Sequence, residues 1–203
     1  MSELGWTTPA AWASDALAAP EALLDDRAHC ELGAAAAAQS LLMRNPKRLP
    51  VDRLAALVIE ELQHFREVHA LLLRRGGRLS HPRKNPYVDG LRAWIRRGSD
   101  MVLLDTLLVA GVIERRSLER FELLAEHAVD AELAALYREL GPSERGHALL
   151  FDRLALELFG TPAATRAEEL TAHEADVARS APPGARIHAG PPGVQSEPAR
   201  AEG

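Results

Sequence analysis

Apolar residues recur at spacings of three and four along four long stretches of the chain. The first stripe reads Leu24, Ala28, Glu31, Ala35, Ala38, Leu42, and the second Leu54, Leu57, Glu61, His64, Val68, Leu71. The third reads Leu103, Leu107, Ala110, Glu114, Leu118, Phe121, and the fourth Leu133, Leu136, Leu140, Glu144, His147, Phe151, Leu154, Leu158. This period marks amphipathic helices whose apolar side faces a core. A glutamate interrupts the middle of every stripe, and on the second and fourth a histidine follows three residues later.

Punctuation residues bound the helices. Thr8-Pro9 predicts the N-cap and first turn of a short helix that ends before Pro20. The first long helix is expected over residues 21–44, and Asn45-Pro46 and Leu49-Pro50 frame a short connection to the second, over 51–75. The third is expected over 99–126 and the fourth over 130–159, ended by Gly160. Between the second and third lies a long connection containing Pro82 and Pro86, with room for a short helix at 89–97. After Thr161-Pro162 a further helix is expected to about residue 179. From Ala181 the chain is rich in Pro and Gly, the composition of disordered segments. Short connections make antiparallel neighbours. The pattern therefore predicts an all-α, ferritin-like four-helix bundle of two helical hairpins joined by a long crossover, with extra N- and C-terminal helices. The domain is expected to span residues 1–180 and the Pro/Gly-rich tail 181–203.

Composition agrees with an all-α reading: 47% of residues are hydrophobic but only 4% aromatic, and Ala, Leu, Glu and Arg dominate. One cysteine, Cys30, excludes an internal disulfide and any four-cysteine metal site, which suits a reducing cytoplasm. The N-terminal residues lack the pattern of a signal peptide, and the apolar window 101–113 is too short to span a bilayer, so no membrane partner is expected.

The glutamates carry the chemistry. Four buried carboxylates converging in one core repel one another and need a cationic counterpart. Two divalent ions balance four carboxylates, with the histidines binding as neutral ligands. Residues at i and i+3 share a helix face, so each Glu-x-x-His pair can reach one site. One glutamate from each of two helices plus Glu-x-x-His from each of the other two is the ligand pattern of di-iron and di-manganese bundles. The candidates are Glu31, Glu61, His64, Glu114, Glu144 and His147. Both Glu31 to Glu61 and Glu114 to Glu144 span 30 residues, so the hairpins contribute matching halves. Oxygen and nitrogen donors suit iron or manganese over copper(I) or structural zinc. Gly141-Pro142 falls just before Glu144, where proline removes a helix hydrogen bond and should kink or restart the helix. Cys30 reads as a small buried residue, and His29, His69, His81 and His127 as surface or packing residues. Asp26, Glu60, Asp105 and Glu119 are available to orient His64 and His147.

Net charge is −5, but residues 74–97 hold Arg74, Arg75, Arg78, Arg83, Lys84, Arg92, Arg96 and Arg97 against Asp89 alone, a segment of +7 on a body of −12. Such a segment is a candidate polyanion site, or else a solvated loop.

The local words around the ligands resemble a known family. Ala28-His29-Cys30-Glu31, Glu60-Glu61-Leu62-Gln63-His64-Phe65, Ile113-Glu114-Arg115-Arg116-Ser117-Leu118-Glu119-Arg120-Phe121 and Ser143-Glu144-Arg145-Gly146-His147 are similar to the bacterial tRNA hydroxylase MiaE, over residues 23–159. Arg186-Ile187-His188-Ala189-Gly190 resembles the end of that family, and residues 186–190 are expected to pack on the bundle. The resemblance implies a non-haem di-iron monooxygenase holding two iron ions on the six ligands, with manganese the alternative metal. It implies hydroxylation of the isopentenyl group of a methylthio-isopentenyl-adenosine beside the tRNA anticodon. Dioxygen would be the oxidant and an external protein the electron donor. The eight basic residues of the crossover would then face tRNA. A ferroxidase, peroxide-handling or iron-storage bundle without an organic substrate is the competing reading, and a non-catalytic bundle that keeps metal for stability is the third.

Overall fold

The computed structural model describes residues 3–192. Seven helices follow one another: α1 (Ala10–Leu17), α2 (Pro20–Arg44), α3 (Val51–Arg74), α4 (Pro86–Arg92), α5 (Ser99–His127), α6 (Ala131–Phe159) and α7 (Thr161–Ser180). Helix α2 packs along α3 and α5 along α6, and these two hairpins form the ferritin-like bundle. The crossover between them carries α4, while α1 lies on α5 and α2, and α7 on α4, α5 and α6.

The four stripes meet as expected, but the core they form is divided. One apolar cluster gathers Ala38, Leu41, Leu54, Leu57, Leu103, Leu107, Phe151 and Leu154. The other gathers Leu24, Ala28, Val68, Leu71, Phe121, Leu124, Leu136 and Leu140. On every long helix the glutamate falls between the residues of one cluster and those of the other, so the acidic belt lies midway along the bundle. Helices α5 and α6 come close at Gly111, where a Cβ would stand 2.9 Å from Asp152 Oδ1.

Three local expectations are corrected. Thr8 is not a cap: Pro9 holds the N-cap position of α1 with no side-chain bond, and Thr8 instead donates to Glu119 from its backbone N–H at 2.8 Å and its hydroxyl at 2.7 Å. The crossover helix starts at Pro86, not at residue 89, because Asn85 Oδ1 caps the Val88 N–H and proline occupies N1, where no N–H is needed. Pro142 lies inside α6, and the helix neither stops nor restarts there.

A buried charge network holds the outer helices to the bundle. Arg116 on α5 donates from Nε at 2.7 Å and Nη2 at 2.9 Å to the two oxygens of Glu174 on α7. The Tyr87 hydroxyl of α4 donates to Glu174 at 2.9 Å. Both partners of the ion pair are fully buried. Glu174→Ala is expected to cost about 3–5 kcal/mol, read by urea unfolding, because it leaves the guanidinium buried without its main partner. A loss below about 1 kcal/mol contradicts this, since that is the scale of an exposed pair.

Beyond α7 the chain returns to the bundle as a short strap. Ile187, His188 and Ala189 are buried. Asp26 accepts the Ile187 N–H at 2.9 Å, Arg120 donates to the Ile187 carbonyl, and Gly190 N–H donates to Pro182 O at 2.9 Å. A Cβ on Gly190 would lie 1.8 Å from the Ala181 carbonyl oxygen, so the strap closes only on glycine there. The packing expected for residues 186–190 is present. The part of the tail from residue 193 onward lies outside the described residues.

Candidate metal centre and its cavity

Each hairpin brings two elements to the belt. Glu31 projects from α2, Glu61 and His64 from successive turns of α3, Glu114 from α5, and Glu144 and His147 from α6. All six side chains are buried, the most exposed being His64 at 7%. They form two clusters, Glu31 with His64 and Glu144, and Glu61 with Glu114 and His147, and within each the candidate donor atoms lie within 4.8 Å of one another. Each cluster takes a lone glutamate and a histidine from one hairpin and the Glu-x-x-His glutamate from the other. Glu61 stands between the clusters, with Oε1 2.9 Å from His147 Nδ1 and Oε2 3.8 Å from His64 Nδ1.

The donor atoms suit cations. Both oxygens of Glu31 and of Glu61, Glu144 Oε2, and Nδ1 of His64 and His147 are buried without an aligned hydrogen bond. Buried polar atoms seldom go unpartnered, and leaving them so is costly. An oxygen-rich set completed by two imidazoles is what divalent first-row ions of intermediate hardness take. The residues fit a pair of metal ions.

Electrostatics shows the strain of crowding these groups. Burial, and then the Glu144 and Glu61 carboxylates acting against Arg27, pushes the Glu31 carboxyl well above its ordinary range. Burial and Glu144 do the same to Glu114. Burial alone would raise Glu61, but the close His147 and His64 rings hold it below the usual carboxylate value. Burial alone would lower His147, but the close contact and charge of Glu61, with Glu60 behind, raise it to about 9. A folded value above the unfolded one means stabilisation that is complete below the ordinary 6.5 and lost as pH rises through about 9. Protein stripped of metal by chelation is therefore expected to unfold at lower urea concentration at pH 9.5 than at pH 6.5. His147→Gln should reduce that difference, leaving the part due to Glu31 and Glu114, and an unchanged pH profile in the variant would contradict the assignment.

Of the acids available behind the histidines, the structure selects Glu60. Its Oε2 lies 3.1 Å from His147 Nε2, and its Oε1 accepts from Ser143 at 2.9 Å. Asp26 holds the strap, Asp105 pairs with Arg96 and Arg166, and Glu119 binds Thr8 and Arg116.

Two residues near the centre were given no role there by the sequence. Arg27 is buried one turn before Glu31, its Nη2 contacting Glu31 and, at 2.6 Å, Glu144 Oε1, with its Cζ 4.3 Å from the Phe121 ring centroid. It falls at i−4 from Glu31 on the α2 core face, a spacing that could have revealed it. His188 reaches the site from the strap, and helical periodicity carries no signal for it.

A cavity of about 720 Å³ leads to the centre. Glu31, Glu61 and Glu114 lie at its inner end, and Ala34, Ala37, Ala110, Ile113 and Phe151 supply apolar walls. Arg83, Lys84 and Arg92 line its rim together with Asp89, and all four are exposed. The other basic crossover residues are placed differently. Arg74 and Arg75 pair with Glu132 and Asp130 at the start of α6, and Arg96 is held by Asp105. Arg78 and Arg97 are exposed and do not line this cavity.

Fold and site together define a ferritin-like protein whose core holds a carboxylate–histidine centre suited to two metal ions. The model of the family described as tRNA-(MS[2]IO[6]A)-hydroxylase (MiaE) matches residues 2–189, and the chain belongs to that family. It is 37% identical over 191 residues, 93% of each chain, to the tRNA 2-(methylsulfanyl)-N(6)-isopentenyladenosine(37) hydroxylase of Pseudomonas putida. It is 30% identical over 142 residues to the protein of that name in Salmonella typhimurium, covering 70% of this chain and 52% of that one. A solved structure titled "Protein 43 with aldehyde deformylating oxygenase activity from Synechococcus" superposes with a TM-score of 0.89 at 35% identity, covering 94% of this chain and 98% of that one. No helix among the described residues is long and apolar enough to cross a membrane.

Proposed function

We propose that this protein is a non-haem di-iron monooxygenase that hydroxylates the isopentenyl group of a methylthio-isopentenyl-adenosine in tRNA. The observation that carries this reading is one cavity with buried glutamates at its inner end, apolar walls and a basic rim. Glu31, His64 and Glu144 would hold one iron and Glu61, Glu114 and His147 the other. Glu61 and Glu144 are each drawn into the opposite hairpin's set. The chemistry that a bound iron pair supplies is reductive activation of dioxygen, with one oxygen entering a C–H bond and the other leaving as water. The two electrons come from an external donor protein.

The chain's own residues do the rest. The apolar walls take the prenyl tail and exclude water from the reacting carbon. Glu60 fixes the His147 ring by bonding Nε2, so that Nδ1 faces the centre. Arg83, Lys84 and Arg92 contact tRNA phosphates at the rim, three of the eight basic residues that the sequence offered. In a strain deleted for the gene, nucleoside analysis of tRNA should show the prenylated adenosine without its hydroxyl. Unchanged hydroxylation would refute the proposal.

The likeness to the Synechococcus oxygenase supports a second reading, an aldehyde in the same apolar cavity. Formate release from an added aldehyde identifies it. The basic rim favours tRNA, and the cavity volume favours an organic substrate over iron storage.

A further inference from the structure

His188 connects the strap to the cavity wall through a chain of hydrogen bonds whose direction can be assigned. Its ring is buried and stacks on Tyr87 with centroids 4.7 Å apart and planes 11° from parallel. Nδ1 lies 3.3 Å from Asn85 Nδ2, and Nε2 lies 3.3 Å from Ser117 Oγ. The Asn85 amide is oriented by its other end, since Oδ1 accepts the Val88 N–H at 3.2 Å as the cap of α4. The group facing His188 is therefore the NH₂, which only donates. Nδ1 must accept, so the ring proton sits on Nε2 and is donated to Ser117. Cys30 Sγ, 3.8 Å from Nδ1 and 3.9 Å from Asp26 Oδ2, is a weak donor that fits either acceptor. Burial, and then the charges of Arg120, Arg27 and Arg116, hold this imidazole well below its ordinary pKa, in keeping with a neutral ring.

Ser117 then has a proton to place. Its oxygen accepts from His188, and its side chain makes no other hydrogen bond among the described residues. It stands on α5 one turn beyond Glu114, and both residues line the cavity. We propose that the Asn85–His188–Ser117 chain is a substrate-positioning relay, which turns the Ser117 hydroxyl proton into the cavity for donation to a ring nitrogen of the prenylated purine. The strap is thus part of the binding site, and the family match, which runs to residue 189, takes it in. The relay rests on the tRNA-hydroxylase reading above.

The test is binding, independent of turnover. The full chain, chelated and iron-loaded, is titrated calorimetrically with short RNA hairpins. These carry methylthio-isopentenyl-adenosine, its 1-, 3- or 7-deaza analogue, or plain adenosine. Ser117→Ala should weaken binding of the prenylated hairpin about fivefold, within the range of one neutral hydrogen bond. His188→Ala should do the same with no further loss in the double variant. His188→Gln, whose amide N–H can stand in for Nε2–H, should recover most of the affinity. One deaza analogue should bind the wild-type chain as weakly as the natural base binds Ser117→Ala, and that variant should not distinguish the two. Wild-type affinity in a Ser117→Ala protein of unchanged melting temperature would overturn the relay, as would equally tight binding of all three deaza analogues. If the wild-type chain binds the prenylated hairpin no better than the plain one, the functional reading fails and the relay with it. If it discriminates but Ser117→Ala binds alike, the relay alone fails.

Discussion

Glu61→Ala is expected to empty both metal positions and to lower hydroxylation by well over 100-fold. Glu61 is buried between the clusters, and its two oxygens face Nδ1 of His147 and of His64. Losing it strips donors from both sets at once. Two comparisons make the prediction specific. Glu31→Ala removes a donor from one set, so iron content should fall toward one per chain. Glu60→Ala removes no candidate ligand, only the partner of the outer nitrogen of His147 and of Ser143, a change of the kind that costs roughly 10- to 100-fold in metal affinity or activity. Metal analysis of purified variants orders the three. Retention of two iron ions by Glu61→Ala would contradict the placement of that residue.

The second large effect belongs to the rim. Reversing Arg83, Lys84 and Arg92 to glutamate together should weaken tRNA binding on the order of 100-fold at moderate salt and flatten the dependence of affinity on salt. Each lost phosphate contact removes about one from the slope. Reversing Arg74, Arg75 and Arg96 changes net charge by the same amount but acts on side chains that do not line the cavity and pair with Glu132, Asp130 and Asp105, whereas at the rim, among the described residues, only Arg83 has an acidic partner, Asp25 at 3.2 Å. That triple variant should lose little affinity, although Arg96 opposite the buried Asp105 carries a stability cost. Equal losses in the two triples would mean that tRNA responds to overall charge and not to the rim.

These contrasts also mark how far the sequence could be read. The four stripes were legible because a helix repeats every 3.6 residues and the core-facing positions follow that period. The six belt residues were legible because glutamate and histidine are out of place on an apolar stripe. Three-dimensional matters were not. Pro86 read as a break, whereas Asn85 turns it into a helix start by capping Val88. Thr8 had cap chemistry, but Glu119, far along the chain, offers it a stronger acceptor. Residues 181–192 have loop composition, yet Asp26, Arg120 and the strap's own turns give several of their backbone groups partners. The eight basic residues were one cluster in sequence and are separate groups in space, because the second helix ends at one end of the bundle and the crossover leads to the cavity. Glu60 was one of four equal candidates until the fold set it beside His147.

The two hairpins are matched in ligands but not in what stands behind them. Glu60 precedes Glu61, and Ser143 holds the equivalent place before Glu144; the two bond each other beside His147. Arg27 adds to the difference by pairing with Glu31 and Glu144 and lies on the cavity wall. Two metal ions held there would therefore be inequivalent, and the cavity meets the centre on the side of Arg27.

Isotope labelling tests the central claim most directly. Iron-loaded protein is given a chemical reductant, tRNA carrying methylthio-isopentenyl-adenosine, and dioxygen labelled with oxygen-18, and the digested nucleosides are weighed by mass spectrometry. The account predicts a hydroxylated prenyl group carrying the heavy oxygen, formed only when iron, reductant and dioxygen are all present. An unaltered nucleoside, or a hydroxyl group whose oxygen comes from water, would contradict it.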